Sequence, residues 1–195
     1  AQGTVNITGK QVTITTASAT VNISGGNGCN NTVTTANGKV IMTGTNTVSH
    51  AAGTVYVSGT NTVTNASGMV MMSGINTVTN ANQKVYITGN ANTVTTASNA
   101  VYITGGANTV TTANGNTHIT GNAITISSNA GKAYFTGNSA TITNASAGDI
   151  FITGNTSTVT NANGGRIFIT GHSASLATAQ GTVNITGKQV TITTA

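Results

Sequence analysis

The sequence is built from a short repeat whose most constant feature is a Ser or Thr followed by Gly. Aligned on this pair, the sequence divides into twelve units at spacings of 15 to 19 residues. A unit of that length cannot bury an apolar face by itself, so a period this short predicts coils that stack on one another. The Gly of the pair stands at Gly9, Gly25, Gly44, Gly59, Gly74, Gly89, Gly105, Gly121, Gly137, Gly154, Gly171 and Gly187.

Each unit contains two short runs in which apolar and polar residues alternate. In the sixth unit these runs are residues 85–88 (Val-Tyr-Ile-Thr) and 93–96 (Thr-Val-Thr-Thr), and bends rich in Gly, Asn and Ser separate them. Alternation with a period of two and a high content of β-branched residues are typical of strands. Because no apolar pattern of period 3.6 accompanies them, the sequence predicts an all-β fold without helices.

Two arrangements satisfy this pattern, an antiparallel meander and a stack of β-arches. A meander would gather Val and Ile on one uncovered face, whereas an arch turns Val85, Ile87 and Val94 of its two strands toward each other. We therefore predict a β-solenoid of stacked β-arches with two parallel sheets, about twelve coils of 15–17 residues, in a single repeat array spanning residues 1–195. The coils are expected near 1–17, 18–38, 39–53, 54–68, 69–83, 84–99, 100–115, 116–131, 132–148, 149–165, 166–181 and 182–195.

In such a stack, equivalent residues lie about 4.8 Å apart and form ladders along the axis. The predicted core ladder contains sets such as Val55, Val57 and Val63 in one coil. Beside it, an inward position next to the bend holds an amide in six successive units, where stacked side chains can bond one another. This predicted Asn ladder consists of Asn31, Asn46, Asn61, Asn76, Asn92 and Asn108.

Two further columns are predicted to face outward. The outer face of the second strand carries a Thr-x-Thr ladder, which includes Thr32, Thr34, Thr62, Thr64, Thr77, Thr79, Thr93, Thr95, Thr109 and Thr111. The outer face of the first strand carries an apolar and aromatic column with Ile41, Tyr56, Met71, Tyr86, Tyr102, Tyr134, Phe151 and Phe168. Exposed apolar stripes usually mark interaction sites, so this aromatic column is the predicted assembly interface.

The composition excludes several kinds of chemistry. Only 4% of the residues are charged, against about 25% in an average protein, and Asp149 is the single acidic side chain. One carboxylate cannot supply the acid–base pair of a glycoside hydrolase or a calcium cluster. His50, His118 and His172 belong to distant units, which argues against a shared zinc site. We therefore predict no enzymatic activity, no metal and no cofactor.

The remaining sequence features concern partners. The net charge of +5 reflects missing acids rather than a basic patch, so no nucleic-acid partner is expected. No apolar run approaches the roughly 18 residues of a membrane helix. Cys29 is the only cysteine and could form an intermolecular disulfide. Sequons at the outward-facing Asn6, Asn22 and Asn184 leave glycan attachment open.

The unit (Val/Ile)-x-(Val/Ile)-(Thr/Ser)-Gly followed by Asn-Thr-Val-Thr-x-Ala-x-Gly resembles the repeats of amyloid-like microbial surface proteins. These include bacterial functional-amyloid fibres and the β-arch sheath proteins of methanogenic archaea. The resemblance covers the whole chain and is one of architecture and composition. It implies an extracellular structural protein at the cell surface that self-assembles, end to end and laterally, into a fibre, sheath or shell, with no catalytic residues.

Two other functions remain open. The Thr-x-Thr ladder looks like the ice-binding face of insect antifreeze β-solenoids, and a long array of such units could form an adhesin stalk.

Residues 1–17 recur letter for letter at 179–195. This coil either opens the next copy in a tandem array or takes the place of the first coil of a neighbouring chain. Both alternatives predict that it is the seam at which a polymer repeats.

Overall fold

The computed structural model describes residues 3–26 and 28–194, and these residues form strands and turns without a helix. Ala1, Gln2 and Ala195 of the duplicated segment, and Asn27 of the longest bend, lie outside the described residues. The seventeen strands are β1 (Val5–Thr8), β2 (Gln11–Ala17), β3 (Val21–Ser24), β4 (Asn30–Ala36), β5 (Val40–Ala51), β6 (Val55–Ala66), β7 (Val70–Ala81), β8 (Val85–Ala97), β9 (Val101–Thr104), β10 (Ala107–Ala113), β11 (Thr117–Thr120), β12 (Ala123–Asn129), β13 (Ala133–Ala145), β14 (Ile150–Ala162), β15 (Ile167–Ala179), β16 (Val183–Thr186) and β17 (Gln189–Thr194).

These strands make twelve coils of a parallel β-solenoid. Coils 3–6 are the single bent strands β5–β8, coils 9–11 are β13–β15, and the other five coils consist of two strands each. Every coil pairs with the next in parallel register, as Val85 with Val101 and Val94 with Val110 show. The predicted all-β solenoid is thereby confirmed, and an antiparallel meander is excluded because all of these pairings are parallel.

The core is a continuous column of aliphatic side chains between the two runs of each coil. Val85, Val94 and Val101 are fully buried, and Ile87 and Ile103 are nearly so. The burial alternates along the first run because successive side chains of a strand point to opposite faces. Each coil therefore uses one face of its first run for the core and leaves the other face, which carries the aromatic column, toward the outside.

A column of glycines forms the bend between the two runs. Gly44, Gly59 and Gly74 have φ values of 116°, 112° and 109°, which L side chains rarely adopt. A Cβ on Gly59 would lie only 2.0 Å from the carbonyl oxygen of Gly44 in the coil before it. The backbones of neighbouring coils thus approach too closely for a side chain, which accounts for the Gly of this bend from coil 3 onward.

A second corner in each coil was not anticipated from the alternation of residues. Val94 and Ala97 are both buried, while Thr95 and Thr96 between them are half-exposed, and the strand pairing omits Thr95. The chain therefore turns at Thr95, and the residue three positions after Val94 returns to the core. The resulting buried column comprises Ala17, Ala36, Ala51, Ala66, Ala81, Ala97, Ala113, Asn129, Ala145, Ala162 and Ala179.

Coil 8 changes two core positions together. Thr117 stands where neighbouring coils have Val or Ala, and Asn129 stands where they have Ala. The Thr117 hydroxyl donates to Asn129 Oδ1 at 2.7 Å, and Asn129 Nδ2 donates to the Gly131 carbonyl. The two polar residues satisfy each other inside the core, as buried polar groups require.

Candidate assembly surfaces

The aromatic column contains an uninterrupted stack of six rings on the outer face of the first runs. Neighbouring rings are nearly parallel, within 2° to 6°, and their centroids are 4.6 to 4.9 Å apart. The spacing follows from the in-register pairing, since each ring lies directly above the equivalent ring of the preceding coil. The stack consists of Tyr86, Tyr102, His118, Tyr134, Phe151 and Phe168, all half-buried.

Before this stack the same column continues with aliphatic and thioether side chains. Ile41, Tyr56 and Met71 are successive partners in coils 3–5, and Met71 pairs with Tyr86. Ile41 is 39% exposed and Met71 is 36% exposed. A groove of about 360 Å³ runs along these four side chains and the neighbouring Ser and Thr residues. The structure thus places all eight predicted members of the column on one outer face.

Cationic side chains cover two of the rings. Lys39 Nζ lies 5.3 Å from the centroid of Tyr56, and the Arg166 guanidinium carbon lies 5.5 Å from that of Phe168. Both distances fall within the range of a cation–π contact. The column is therefore an apolar stripe with positively charged groups along one margin.

The predicted Asn ladder is present in the core. In each pair the Nδ2 of one Asn donates to the Oδ1 of the Asn in the following coil, at distances of 2.7 to 3.0 Å. The amides also donate to bend carbonyls, as Asn61 does to Gly59 and Ser73. All six side chains are at most 2% exposed, so water cannot reach their amide groups. The ladder supplies the hydrogen-bond partners that these buried polar groups require. Its members are Asn31, Asn46, Asn61, Asn76, Asn92 and Asn108.

The Asn ladder has two unequal ends. At coil 2, Asn31 Oδ1 is buried and has no hydrogen-bond partner among the described residues, since coil 1 places Val12 opposite it. At coil 8, Ile124 follows Asn108, and the column continues with small residues. Coils 2–7 are therefore joined by buried amide hydrogen bonds, whereas the Asn–Asn bonds between other described coils are exposed.

The Thr ladder faces outward on the second runs. Its first column is Thr in every coil except coil 11, where Ser175 takes the place. Thr32, Thr62, Thr77, Thr93 and Thr109 belong to this column and pair in register. The second predicted column, Thr34, Thr64, Thr79, Thr95 and Thr111, is also at least partly exposed but lies where the strand pairing is interrupted.

Two exposed rows of Asn were not predicted. One row lies at the corner, where Asn80 Nδ2 donates to Asn65 Oδ1 at 2.9 Å and Asn161 donates to Asn144 at 2.9 Å. The other lies at the Gly bend, where Asn138 donates to Asn122 at 3.2 Å. The recurrence of Asn in these positions was the signal, and for the first row the missed corner concealed that the side chains face outward.

The charged residues of coils 9–11 form one small network. Asp149 binds Arg166 through a 2.8 Å contact between Nη2 and Oδ2, and Lys132 Nζ lies 3.9 Å from the same oxygen. Hydrogen bonds from the side chain and backbone of Arg166 lower the pKa of Asp149 from 3.8 to about 2. The only carboxylate side chain of the sequence is therefore held ionised well into the acid range.

This network leads to a prediction about acid stability. Since the pKa of Asp149 is lowered by folding, its contribution is present above about pH 4 and is lost as the pH falls toward 2. Acid unfolding mainly reflects carboxylates, so we expect the melting temperature to change by only a few degrees between pH 4 and pH 2. The melting temperatures of the wild type and Asp149→Asn, measured by circular dichroism, should become equal at pH 2. Unfolding of both proteins between pH 4 and pH 2 would contradict this prediction.

Cys29 and the sequon residues lie in different surroundings. Cys29 is 7% exposed and free, and an intermolecular disulfide at this residue stays a prediction. Asn22 Nδ2 donates to Asn6 Oδ1 at 2.7 Å. The side-chain nitrogen to which a glycan would be attached at Asn22 is therefore already hydrogen-bonded. Asn6 and Asn184 are exposed, and glycan attachment there remains a prediction.

Coil 12 presents core positions to solvent in the described structure. Val190 is 43% exposed and Ile192 is 45% exposed, whereas the equivalent Leu176 of coil 11 is fully buried. Val183 and Ile185 of the same coil are half-buried against the core. A further coil with the same column pattern, in this chain or in another copy, would cover these side chains.

Within residues 3–26 and 28–194, no group of three His, Cys, Asp or Glu side chains is placed to hold a metal ion. The same residues contain no helix with the length and apolarity that crossing a membrane requires. The structure keeps His50, His118 and His172 in coils 3, 8 and 11.

Comparison of the chain with family models, with curated proteins and with solved structures finds no match.

Proposed function

We propose that this chain is an extracellular structural protein of a cell surface, which self-assembles into an amyloid-like fibre, sheath or shell. Coils of successive copies would stack edge to edge, and the aromatic column would pack solenoids side by side. The partner is thus the protein itself. The likeness to microbial surface polymers is one of architecture, and it supplies the expected location outside the cell.

The observation that carries the proposal is the parallel stacking of the twelve coils, with equivalent residues paired and one register shift between Ser73 and Ile75. Backbone hydrogen bonds and side-chain ladders are therefore directed along one axis. Val190 and Ile192 of coil 12 offer an apolar surface of the same pattern to a following coil. Burial of such side chains contributes roughly 1.5 to 3 kcal/mol each, which favours continued stacking.

Fibre diffraction and electron microscopy test this function. Stacked coils should give a meridional reflection near 4.8 Å, the spacing between hydrogen-bonded strands. Negatively stained material should show filaments or sheets that persist in detergent. Monodisperse particles at millimolar concentration, without such a reflection, would rule out self-assembly.

The lateral interface is tested by removing rings from the aromatic column. The triple substitution Tyr86→Ser, Tyr102→Ser and Phe151→Ser should leave the strand signal in circular dichroism but separate bundled solenoids into thinner filaments. The physical reason is the lost apolar contact area, since the outer edges of these rings are half-exposed. The width of filaments in micrographs is the measurement.

A matched triple substitution controls for a general effect of new serines. Asn122, Asn138 and Asn155 lie on an exposed bend row away from the aromatic column. Their replacement by Ser should leave filament width unchanged. Equal bundling in both triple variants would show that the aromatic column is not the lateral contact.

The first column of the Thr ladder favours ice binding as a second candidate function. An outward row of in-register Thr residues, broken only by Ser175, forms a regular hydroxyl and methyl surface. If this surface binds ice, crystals grown in a cooled solution of the protein should become faceted, and Thr93→Lys with Thr109→Lys should abolish the facets. Round crystals with the wild-type protein would dismiss this candidate. The third candidate, a long adhesin stalk, would differ from the first proposal mainly in that its successive copies are joined covalently in one chain.

A further inference from the structure

Of the four tyrosines in the sequence, all of which lie among the described residues, only Tyr86 and Tyr102 contact each other directly. Their ring centroids are 4.8 Å apart and their planes differ by 6°. Tyr56 is separated from Tyr86 by Met71, and Tyr134 is separated from Tyr102 by His118. The chain therefore contains one place where two phenols face each other.

The backbone holds these two phenols together. Val85 pairs with Val101 and Ile87 pairs with Ile103, and all four side chains are buried in the core. The rings themselves are half-buried, so their outer edges are accessible to a small oxidant. Groups that are held in contact react far more readily than groups that must meet by diffusion.

We propose that Tyr86 and Tyr102 are a site of oxidative cross-linking, at which a one-electron oxidant couples the two rings to dityrosine. The oxidant class includes ferryl haem and inorganic radicals. The product is a covalent bond between coils 6 and 7 on the outer face of the solenoid. This inference concerns the chemistry of the folded chain and does not depend on whether the chain assembles.

The reaction balances with two oxidising equivalents. Each phenol gives one electron to the oxidant and its hydroxyl proton to water, which leaves two phenoxyl radicals with spin on the carbons ortho to oxygen. One ortho carbon of each ring forms the new carbon–carbon bond. The hydrogen displaced at each of these carbons then moves to the phenolic oxygen, and both rings regain aromaticity. The pair loses two electrons and two protons in total.

The cross-link would close the chain between two coils that already stack. It should therefore stabilise the solenoid chiefly by restricting the unfolded chain, as a disulfide does. His118 sits on the other face of Tyr102, so coupling to a third tyrosine is blocked. The expected product is a single cross-link per chain rather than a series along the stack.

Photo-oxidation of the dilute full-length chain tests the proposal. Persulfate takes one electron from photoexcited ruthenium(II) tris(bipyridine), and the resulting ruthenium(III) complex and sulfate radical each take one electron from a phenol, so one persulfate accepts two electrons in total. We expect dityrosine fluorescence, a monomer mass lower by two hydrogen atoms, and a cross-linked peptide that contains Tyr86 and Tyr102. Prior unfolding in denaturant should lower the intrachain yield roughly tenfold or more, because the rings are then no longer held together.

Two substitutions with the same tyrosine count separate this site from general oxidation. Tyr86→Phe keeps a ring in the stack but removes the only phenol pair, and should lower the intrachain yield roughly tenfold or more. Tyr134→Phe should leave it unchanged. Equal yields in the two variants, dityrosine only between chains, or oxidised tyrosine without dityrosine in the native chain would each overturn the proposal.

Discussion

Replacement of Gly59 by Ala is expected to prevent coils 4 and 3 from stacking and to cost more than about 4 kcal/mol of stability. The new Cβ would lie 2.0 Å from the Gly44 carbonyl oxygen, and the φ of 112° is itself unfavourable for alanine. The neighbouring atom belongs to the backbone and cannot rotate away. Denaturant unfolding followed by circular dichroism should show a large drop in the midpoint or no folded baseline.

Gly26→Ala is the control for this effect. It lies in the longest bend, where an added Cβ would meet no atom within 4 Å and where φ is not positive. Its midpoint should stay close to that of the wild type. If Gly59→Ala left the midpoint equally unchanged, neighbouring coils could not approach each other at the glycine column as closely as the structure shows.

The second large effect is expected from Asn61→Ala in the middle of the Asn ladder. The substitution removes the partner of Asn46 Nδ2 at 2.7 Å and the donor to Asn76 Oδ1 at 2.8 Å. Asn46 Nδ2 keeps the carbonyls of Gly44 and Ser58 as acceptors, whereas Asn76 Oδ1 is left buried without a donor. A buried polar group left unsatisfied costs about 1 to 3 kcal/mol, so we expect a loss of that size in the free energy of unfolding.

An exposed Asn of the same solenoid provides a matched comparison. Asn80 also donates to an Asn of a neighbouring coil, at 2.9 Å, but water can replace this bond. Asn80→Ala should therefore cost less than about 0.5 kcal/mol. Asn31→Ala should fall between the two, because its Oδ1 has no partner among the described residues. Equal losses for Asn61 and Asn80 would show that burial does not set the strength of the ladder.

The contrast between the two bends explains where sequence reasoning succeeded. Gly occurs in every unit at the bend between the two runs, and from coil 3 onward an added Cβ there would clash with the backbone of the coil before it. At the turn before the first run, Gln83 and Asn99 stand where most coils have Gly, yet a Cβ on Gly53 or Gly115 would lie 2.5 Å from the backbone of the preceding coil. The repeat therefore revealed the first close approach between coils, and only the structure showed the second.

The corner at Thr95 could not be predicted from alternation alone. Thr95 and Thr96 are both polar and β-branched, and nothing local distinguishes a strand that continues from one that turns. Their outward position depends on the return of Ala97 to the core, where it is fully buried. The repeated Ala was visible in the sequence, but its burial was not.

The sequence by itself determined the period, the parallel stacking and the residues of the Asn ladder, the aromatic column and the first Thr column, because in-register coils convert every repeated position into a column. Only the tertiary structure decided how the columns interact. It showed that six rings, including His118, stack face to face, that the Asn amides donate in one direction along the axis, and that Tyr86 and Tyr102 are in contact. These features depend on side-chain rotamers and on the bends of each coil, which arise from packing between coils and are not encoded in the spacing of residues.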